Sequence, residues 1–357
     1  MNFSLRDRLL IGKKPKSADI WFHVASVGEF NTAKPILKEL KKRYKILLTF
    51  FSPRAYNFLL SQREFYDELF PLPLDLPFLV QKFERYVKPK IIIMTERELW
   101  PSLVNFTKSP KILINAYANG GFIERIFSRK FSLIITRTEK DKEIFESYRV
   151  KKVINCGNLK FICDNKVVKK SFGRKVVIAG STHRGEEEII LSAFREIKKS
   201  VKDILLIIAP RHVERSDEVL KKAKAFGFRA HLFSENTEGD VLIVDRLGIL
   251  SSLYSSADVA VVGGTFVKIG GHNLMEPACF GVPVLYGEYT HKVEDLRKYI
   301  ESLKLGYPVK DKSELAKSIL EILKKEKKVN TKVREESERI KRCYLKEILR
   351  VISSGTG

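Results

Sequence analysis

Short runs of apolar residues recur along the chain, each followed by a polar turn and then by a stretch with apolar positions every three or four residues. In the first part these runs are Ile20–Ala25, Ile46–Phe50, Ile91–Met94, Ile112–Asn115, Leu133–Thr136 and Val153–Cys156. They are apolar at successive rather than alternating positions, which marks strands covered on both faces, as in a parallel sheet flanked by helices. Stretches such as Ala33–Arg43 and Pro53–Ser61 between them carry helical periodicity. The pattern predicts one doubly wound α/β domain over residues 1–163.

After a basic, loop-like stretch, Asp164–Arg174, the pattern begins again. Strands are predicted at Val176–Ala179, Ile204–Ala209, Ala230–Phe233, Val241–Val244, Val259–Val262 and Val282–Leu285, with helices such as Glu186–Lys199 and Asp217–Phe226. This gives a second α/β domain over 164–330. The tail is two helical patterns rich in Lys and Glu, and the last, 331–357, is expected to close back towards the first domain. Two Rossmann-like halves predict a ligand cleft outside the carboxyl ends of the strands.

Composition narrows the class. A chain of 357 residues exceeds what one core usually serves. It contains no run of eighteen apolar residues, so no spanning helix is predicted. Met1–Leu10 is too short and too charged for a signal peptide, so a cytoplasmic protein is expected. Cys156, Cys163, Cys279 and Cys343 lie far apart without metal-ligand spacing and are read as reduced thiols. The net charge of +23 asks for an anionic partner: nucleic acid, an acidic membrane or a phosphorylated substrate. A thermophile's charge-rich surface is compatible with the same numbers. Residues 1–160 hold 30 Lys and Arg against 16 Asp and Glu, a denser excess than the 36 against 27 of the remainder.

Candidate chemistry falls on the turns that follow strands. In Ala25-Ser26-Val27-Gly28-Glu29 a strand ends, a Gly permits a tight turn and a helix begins. Glu29 is thereby placed at a helix N-terminus, where the dipole favours the ionised carboxylate a general base requires. A capping carboxylate is the plainer account of that position. Thr95-Glu96-Arg97-Glu98-Leu99-Trp100-Pro101-Ser102 follows the strand Ile91–Met94, with two carboxylates flanking an Arg, and also reads as a self-neutralising loop. Gly157-Asn158-Leu159-Lys160 is a turn with a Lys suited to an anion.

In the second half, Ala179-Gly180-Ser181-Thr182-His183 and Ala209-Pro210-Arg211-His212 each end a strand in a loop bearing His and Arg. Ser181, Thr182 and His183 there form a candidate anion loop. The richest segment runs from Val262-Gly263-Gly264-Thr265 to Gly270-Gly271-His272-Asn273-Leu274-Met275-Glu276-Pro277. An anion is expected on the N–H groups of a helix opening there, with Glu276 accepting from a ribose diol. No Walker sequence, no Gly-x-Gly-x-x-Gly at the first strand turn and no Asp-x-Asp pair occurs. These absences count against a P-loop NTPase, a dinucleotide oxidoreductase and a metal-held diphosphate.

Taken together, these segments resemble the Kdo (3-deoxy-D-manno-octulosonic acid) transferases of lipopolysaccharide synthesis. The resemblance covers nearly the whole chain in the family's motif order: Ser26–Glu29, Glu96–Pro101, Gly157–Phe161, Ala179–Glu187, Ala209–Arg215, Gly248–Leu250 with Asp258–Gly264, Gly270–Pro277 and Gly287–Val293. It implies a GT-B fold and inverting, metal-independent transfer from CMP-Kdo to a lipid A precursor, with no cofactor. By the same resemblance Glu29 is the general base, and Glu96 and Lys160 support the transition state. Arg211, His212, Leu247, Gly248, Ile249, Gly264, Asn273, Leu274, Met275 and Glu276 form the CMP site. Many members begin with a hydrophobic anchor, whereas this chain starts almost at its first strand, so peripheral attachment to the cytoplasmic face of the inner membrane is expected. Ser102 and Arg97 stand where the family commonly has Asn and Thr.

An anionic membrane surface is the partner expected for the first domain. Its Lys13, Lys14 and Lys16 precede the first strand, and Arg125, Arg129 and Lys130 interleave with Phe122, Ile123, Ile126, Phe127 and Phe131. A helix over Phe122–Phe131 packed on its own sheet would give the same pattern. Two other functions stay open: a GT-B enzyme acting on a UDP-sugar, as transferase or epimerase, and a basic nucleic-acid-binding protein. No aromatic platform interleaved with Lys and Arg favours the last, so nucleic acid is not an expected partner.

Overall fold

The computed structural model describes residues 5–164, 171–235, 237–325 and 331–354. The middle of the basic stretch expected to link the domains, residues 165–170, lies outside the described residues. The chain divides into two compact units, Met1–Ile162 with Ser337–Gly357, and Cys163–Glu336.

The first unit holds seven strands: β1 Ile20–Val24, β2 Ile46–Phe50, β3 Glu68–Pro71, β4 Ile91–Thr95, β5 Lys111–Ala116, β6 Leu133–Thr136 and β7 Val153–Asn155. All pairings are parallel, in the order β3-β2-β1-β4-β5-β6-β7. Alternate residues of each strand enter different cores. Ile20, Phe22 and Val24 pack with Ile36, Leu37 and Leu40 of the helix Val27–Lys41. Trp21, Leu47 and Ile92 pack on the opposite face with Phe83 and Val87 of the helix Pro77–Val87. Burial on both faces is why the sequence shows continuous apolar runs instead of alternation. The last helix, Lys332–Ser354, sends Ile340, Tyr344, Ile348 and Ile352 into the first of these cores, at the four-residue spacing of one helical face.

The second unit repeats the plan with β8 Lys175–Thr182, β9 Ile204–Pro210, β10 Ala230–Leu232, β11 Val241–Ile243, β12 Val259–Val262, β13 Val284–Tyr286 and β14 Gly306–Pro308. Its order is β10-β11-β9-β8-β12-β13-β14, again parallel throughout. Each sheet therefore has one switch point where the winding reverses, between β1 and β4 in the first and between β8 and β12 in the second. Loops leaving the carboxyl ends of those strands diverge there and leave a crevice.

Two strands, β3 and β14, have no counterpart among the predicted ones. Both are edge strands ending in Pro71 and Pro308, short and only partly buried. Proline is tolerated at such edges but interrupts the apolar run that marks a central strand.

The reading of four reduced thiols is overturned. Cys156 is bonded to Cys343 in the first unit and Cys163 to Cys279 in the second, with Cα atoms 5.6 and 5.5 Å apart. Sequence separations of 187 and 116 residues leave no spacing signal for either pair. Disulfides of this kind occur inside hyperthermophilic cells, so they agree with the charge-rich composition.

Candidate active site

At the first switch point the chain leaves β1 through Ala25 and Ser26 and enters the helix Val27–Lys41. Ser26 caps that helix, its hydroxyl accepting from the Glu29 N–H at 3.3 Å. Glu29 then turns back over the strand end. Its Oε2 accepts from the Ala25 N–H at 2.6 Å and from the Thr95 hydroxyl, at the end of β4, at 2.8 Å. Both bonds load one oxygen. Burial, reinforced by the nearby charges of Glu98 and Glu96, outweighs those two hydrogen bonds and pushes the Glu29 carboxyl up to about 7. The sequence reading had the helix dipole favouring the ionised form. In the folded chain desolvation wins, and the group is poised near neutrality.

The loop after β4 is not self-neutralising. Arg97 points to Tyr117, 5.6 Å from its ring centroid, and to Glu124 at 3.9 Å. Glu98 instead accepts from the Trp100 indole N–H at 2.7 Å and meets Nε2 of the fully buried His23 at 3.3 Å. The His23 ring is fixed on its other side by the Thr49 hydroxyl, 3.0 Å from Nδ1, and Thr49 also accepts from the Trp21 indole at 2.9 Å. Glu96 sits at positive φ, 54°, as does Asn115, 52°. The Asn115 amide reaches Glu96 Oε1 at 3.5 Å, and its carbonyl oxygen accepts from the Leu159 N–H at 3.0 Å. Asn115 thus bridges Glu96 to the turn bearing the exposed Lys160. In that turn the Asn158 side chain accepts from the Lys160 N–H, and Tyr344 of the last helix donates to the Gly157 carbonyl at 2.8 Å. Glu29, Glu96 and Lys160 are therefore borne by one cluster of loops in one unit. Thr95, which opens the motif after Ile91–Met94, supports them with His23, Thr49 and Asn115, and these three do not stand out in the sequence, because strand-borne polar residues merge with the apolar runs around them.

At the second switch point, β8 ends in Ser181 and Thr182 and is followed by His183–Gly185, and Gly263–Leu274 follows β12. Gly264 has φ +71°, and a Cβ there would lie 2.9 Å from the His272 ring, so only glycine fits this turn. The amides that follow Gly263 are taken by a carboxylate of the protein itself. Glu186, fully buried, accepts from the N–H groups of Gly264, Phe266 and His183 at 2.8, 3.0 and 2.8 Å, and from Thr265 at 3.1 Å. The helix expected after Asn273 is only Met275–Ala278, and the Asn273 side chain takes its Met275 N–H at 3.0 Å. The Thr182 hydroxyl is likewise committed, donating to Glu187 at 3.0 Å, which also pairs with Arg215 at 2.9 Å.

Side chains are left to meet an anion. His183 and His272 stack at 5.0 Å with Nε2 atoms 2.7 Å apart, and His212 stands edge-on to His183 at 6.1 Å. Arg211, exposed, begins the loop after β9. Its charge pulls the Glu276 carboxyl down, as does a bond from Asn273, but burial dominates and holds that carboxyl above its ordinary range. Tyr254, fully buried, abuts Gly180, where a Cβ would lie 1.9 Å from the phenol oxygen, and it feels the Glu276 charge. Leu247, Gly248 and Ile249 lie in the turn after β11, which pairs with β9, so the turn leaves the same edge of the sheet as Arg211 and His212. Leu247 is 81 % exposed. Leu274 and Met275 are buried and support the Asn273–Glu276 turn.

Solved structures with this two-sheet plan include UDP-GlcNAc 2-epimerase from Neisseria meningitidis, at TM-score 0.59 and 15 % identity, covering 93 % of this chain and 99 % of that one. The glycotransferase of kitacinnamycin follows at TM-score 0.55 and 12 % identity, covering 96 % and 97 %. The two parallel sheets and these likenesses define the GT-B fold. Residues 4–163 match the family described as 3-deoxy-D-manno-octulosonic-acid transferase. Curated 3-deoxy-D-manno-octulosonic acid transferases are 54 % identical in Aquifex aeolicus, over 92 % of both chains, and 33 % identical in Haemophilus influenzae, over 79 % of this chain and 73 % of that one. The chain belongs to the Kdo transferase family.

Proposed function

We propose that the chain is an inverting transferase that moves Kdo from CMP-Kdo onto a sugar hydroxyl of a lipid A precursor, without metal or other cofactor. Glu29 carries this reading: it is a carboxylate at a switch point, held by two hydrogen bonds on one oxygen and pushed up to about 7. A base of that strength is matched to taking a proton from a hydroxyl at neutral pH. The acceptor oxygen forms a bond to the anomeric carbon of Kdo while the bond from that carbon to the phosphate oxygen breaks. The electron pair leaves with CMP and the acceptor's proton passes to Glu29. One displacement with one base inverts the anomeric centre. Arg211 supplies positive charge where the phosphate departs, with the histidines beside it, and Glu276 with Asn273 offers acceptors for the ribose. Glu96 and Lys160, tied through Asn115, support charge at the reacting centre.

The acceptor is lipid-borne, and the first unit has features suited to an anionic membrane. Among the described residues no helix is long and apolar enough to cross a bilayer. The helix Phe122–Ser128 exposes Phe122, Ile123 and Ile126 beside the exposed Arg125 and Lys130, while Phe131 is in the core. Apolar side chains flanked by cations suit an interfacial contact at the cytoplasmic face. Lys13 and Lys14 are partly committed, to Glu68 and to the Tyr86 ring.

Incubation with CMP-Kdo and a lipid A precursor in excess EDTA tests the reading by mass spectrometry. A mass gain of one or more Kdo residues is expected. No gain from a folded chain overturns it, and a gain that vanishes with EDTA and returns with Mg²⁺ overturns the metal-independent mechanism alone.

A further inference from the structure

At the second switch point the amides of Gly264, Thr265 and Phe266 are taken by Glu186, and that of Met275 by the Asn273 side chain. What faces that crevice in their place is the imidazole pair His183–His272, with Nε2 atoms 2.7 Å apart. At that distance one Nε2 donates and the other accepts. In the neutral pair the donating ring then has a bare Nδ1, and the accepting ring carries its proton on Nδ1. The bare Nδ1 can bind a proton without breaking the bond between the rings, which turns the pair into a hydrogen-bonded cation.

The groups around the pair fix its state in the free protein. Arg211, His212 and Arg215 face it from the loop after β9 and Lys292 from the segment after β13, while Glu187 and Glu186 face His183 from the helix Glu186–Ser200. Burial first, then these cations, hold His272 down to about 4 and His183 below its ordinary value. Burial and the surrounding cations both favour the neutral rings in the free protein. An incoming dianion offsets the field of Arg211 and Lys292, which together with burial and the neighbouring imidazoles opposes protonation.

We propose that His183 and His272 act as one proton-sharing pair beside the donor's phosphate, taking up a proton from solvent as that phosphate becomes a dianion on leaving. This rests on the CMP-Kdo reading above. In the donor the phosphate is a diester with one negative charge. When its bond to the sugar breaks it becomes a monoester with a second charge, and the pair gains its positive charge in step. The response is selective for the product state, which is the direction a transition-state stabiliser must have. Neither histidine need transfer its proton to the phosphate for this to hold.

Calorimetry of CMP binding at pH 7, in buffers of different ionisation enthalpy, reads the proton count directly. Uptake of about one proton per CMP is expected for the unaltered chain, and none for cytidine, which lacks the phosphate. His272→Asn and, as a second variant at a less buried site, His183→Asn should each bind CMP with that uptake lost. Binding of CMP with the same heat in every buffer overturns the proton-sharing pair and leaves the donor reading standing. Uptake retained in both variants also overturns it, and failure of the unaltered chain to bind CMP overturns both.

Discussion

The two switch points have the same topology and opposite electrostatics. In the first, Glu29, Glu96 and Glu98 gather at the ends of β1 and β4, and their mutual repulsion adds to burial in raising Glu29. In the second, Arg211, His183, His212, His272 and Lys292 gather at the ends of β8, β9 and β12 and β13, and cationic neighbours add to burial in lowering the imidazoles. Burial and like charges nearby favour the neutral form of Glu29 in the first cluster and of His183 and His272 in the second. The acidic cluster is thereby ready to accept a proton from a hydroxyl, and the basic one to answer an arriving negative charge. On the proposed reading, one scaffold used twice separates acceptor activation from leaving-group stabilisation.

Substitutions that touch one cluster should leave the other's signature intact. Glu29→Gln should lower the rate of transfer by about two to four orders of magnitude with CMP affinity unchanged, since a base is lost and no donor contact is. Kinetics with calorimetry on the folded variant checks this, and activity within threefold of the parent would remove Glu29 from the role. The same variant reports on stability. Because the folded-state pKa lies near 7, above the 4.5 of an unperturbed Glu, the protonated folded form is favoured. That contribution is fully present below about pH 4.5 and lost as pH rises through about 7. Glu29→Gln should therefore raise Tm above pH 7 and leave it unchanged near pH 4.

Each unit also carries one disulfide, and these offer a comparison independent of charge. Loss of either should cost about 2–5 kcal/mol, read as a lower midpoint in denaturant. Cys343→Ser should act on the first unit and Cys279→Ser on the second, and unchanged midpoints would show that the bonds do not form in solution.

Glu276→Ala should weaken CMP by roughly 1–3 kcal/mol, through loss of a buried acceptor, while leaving the pH dependence set by Glu29 in place. Unchanged affinity would move the ribose contact elsewhere. The smallest effect is expected at the membrane, at about 1 kcal/mol for each of Arg125 and Lys130 changed to Ser. Flotation with anionic liposomes should show binding that falls as salt rises. Equal binding to neutral liposomes would assign the contact to Phe122, Ile123 and Ile126 alone.

Twelve of the fourteen strands among the described residues and the position of Glu29 are legible in the sequence, because a buried parallel strand and a strand–glycine–helix turn each leave a local signature. What escaped is non-local. Glu186 reads as an ordinary first-turn carboxylate, yet it takes four N–H groups, three of them some eighty residues away. His23 reads as a core residue until Glu98, 75 residues on, is found against it. The cysteine pairs likewise become visible only when the last helix and the Met275–Ala278 turn are in place. Thr182 reads as part of an anion loop because its chemistry suits one, and folding turns its hydroxyl to Glu187 of the protein itself.

The pH dependence of kcat/KM for Kdo transfer tests the central claim most directly, because it reports the ionisation of the free protein's essential base. For the unaltered chain the acid limb should rise tenfold per pH unit and bend near pH 7, and Glu29→Gln should lose that limb. A limb bending near pH 4.5, or one that survives in Glu29→Gln, would contradict the assignment of a base tuned by burial at the first switch point.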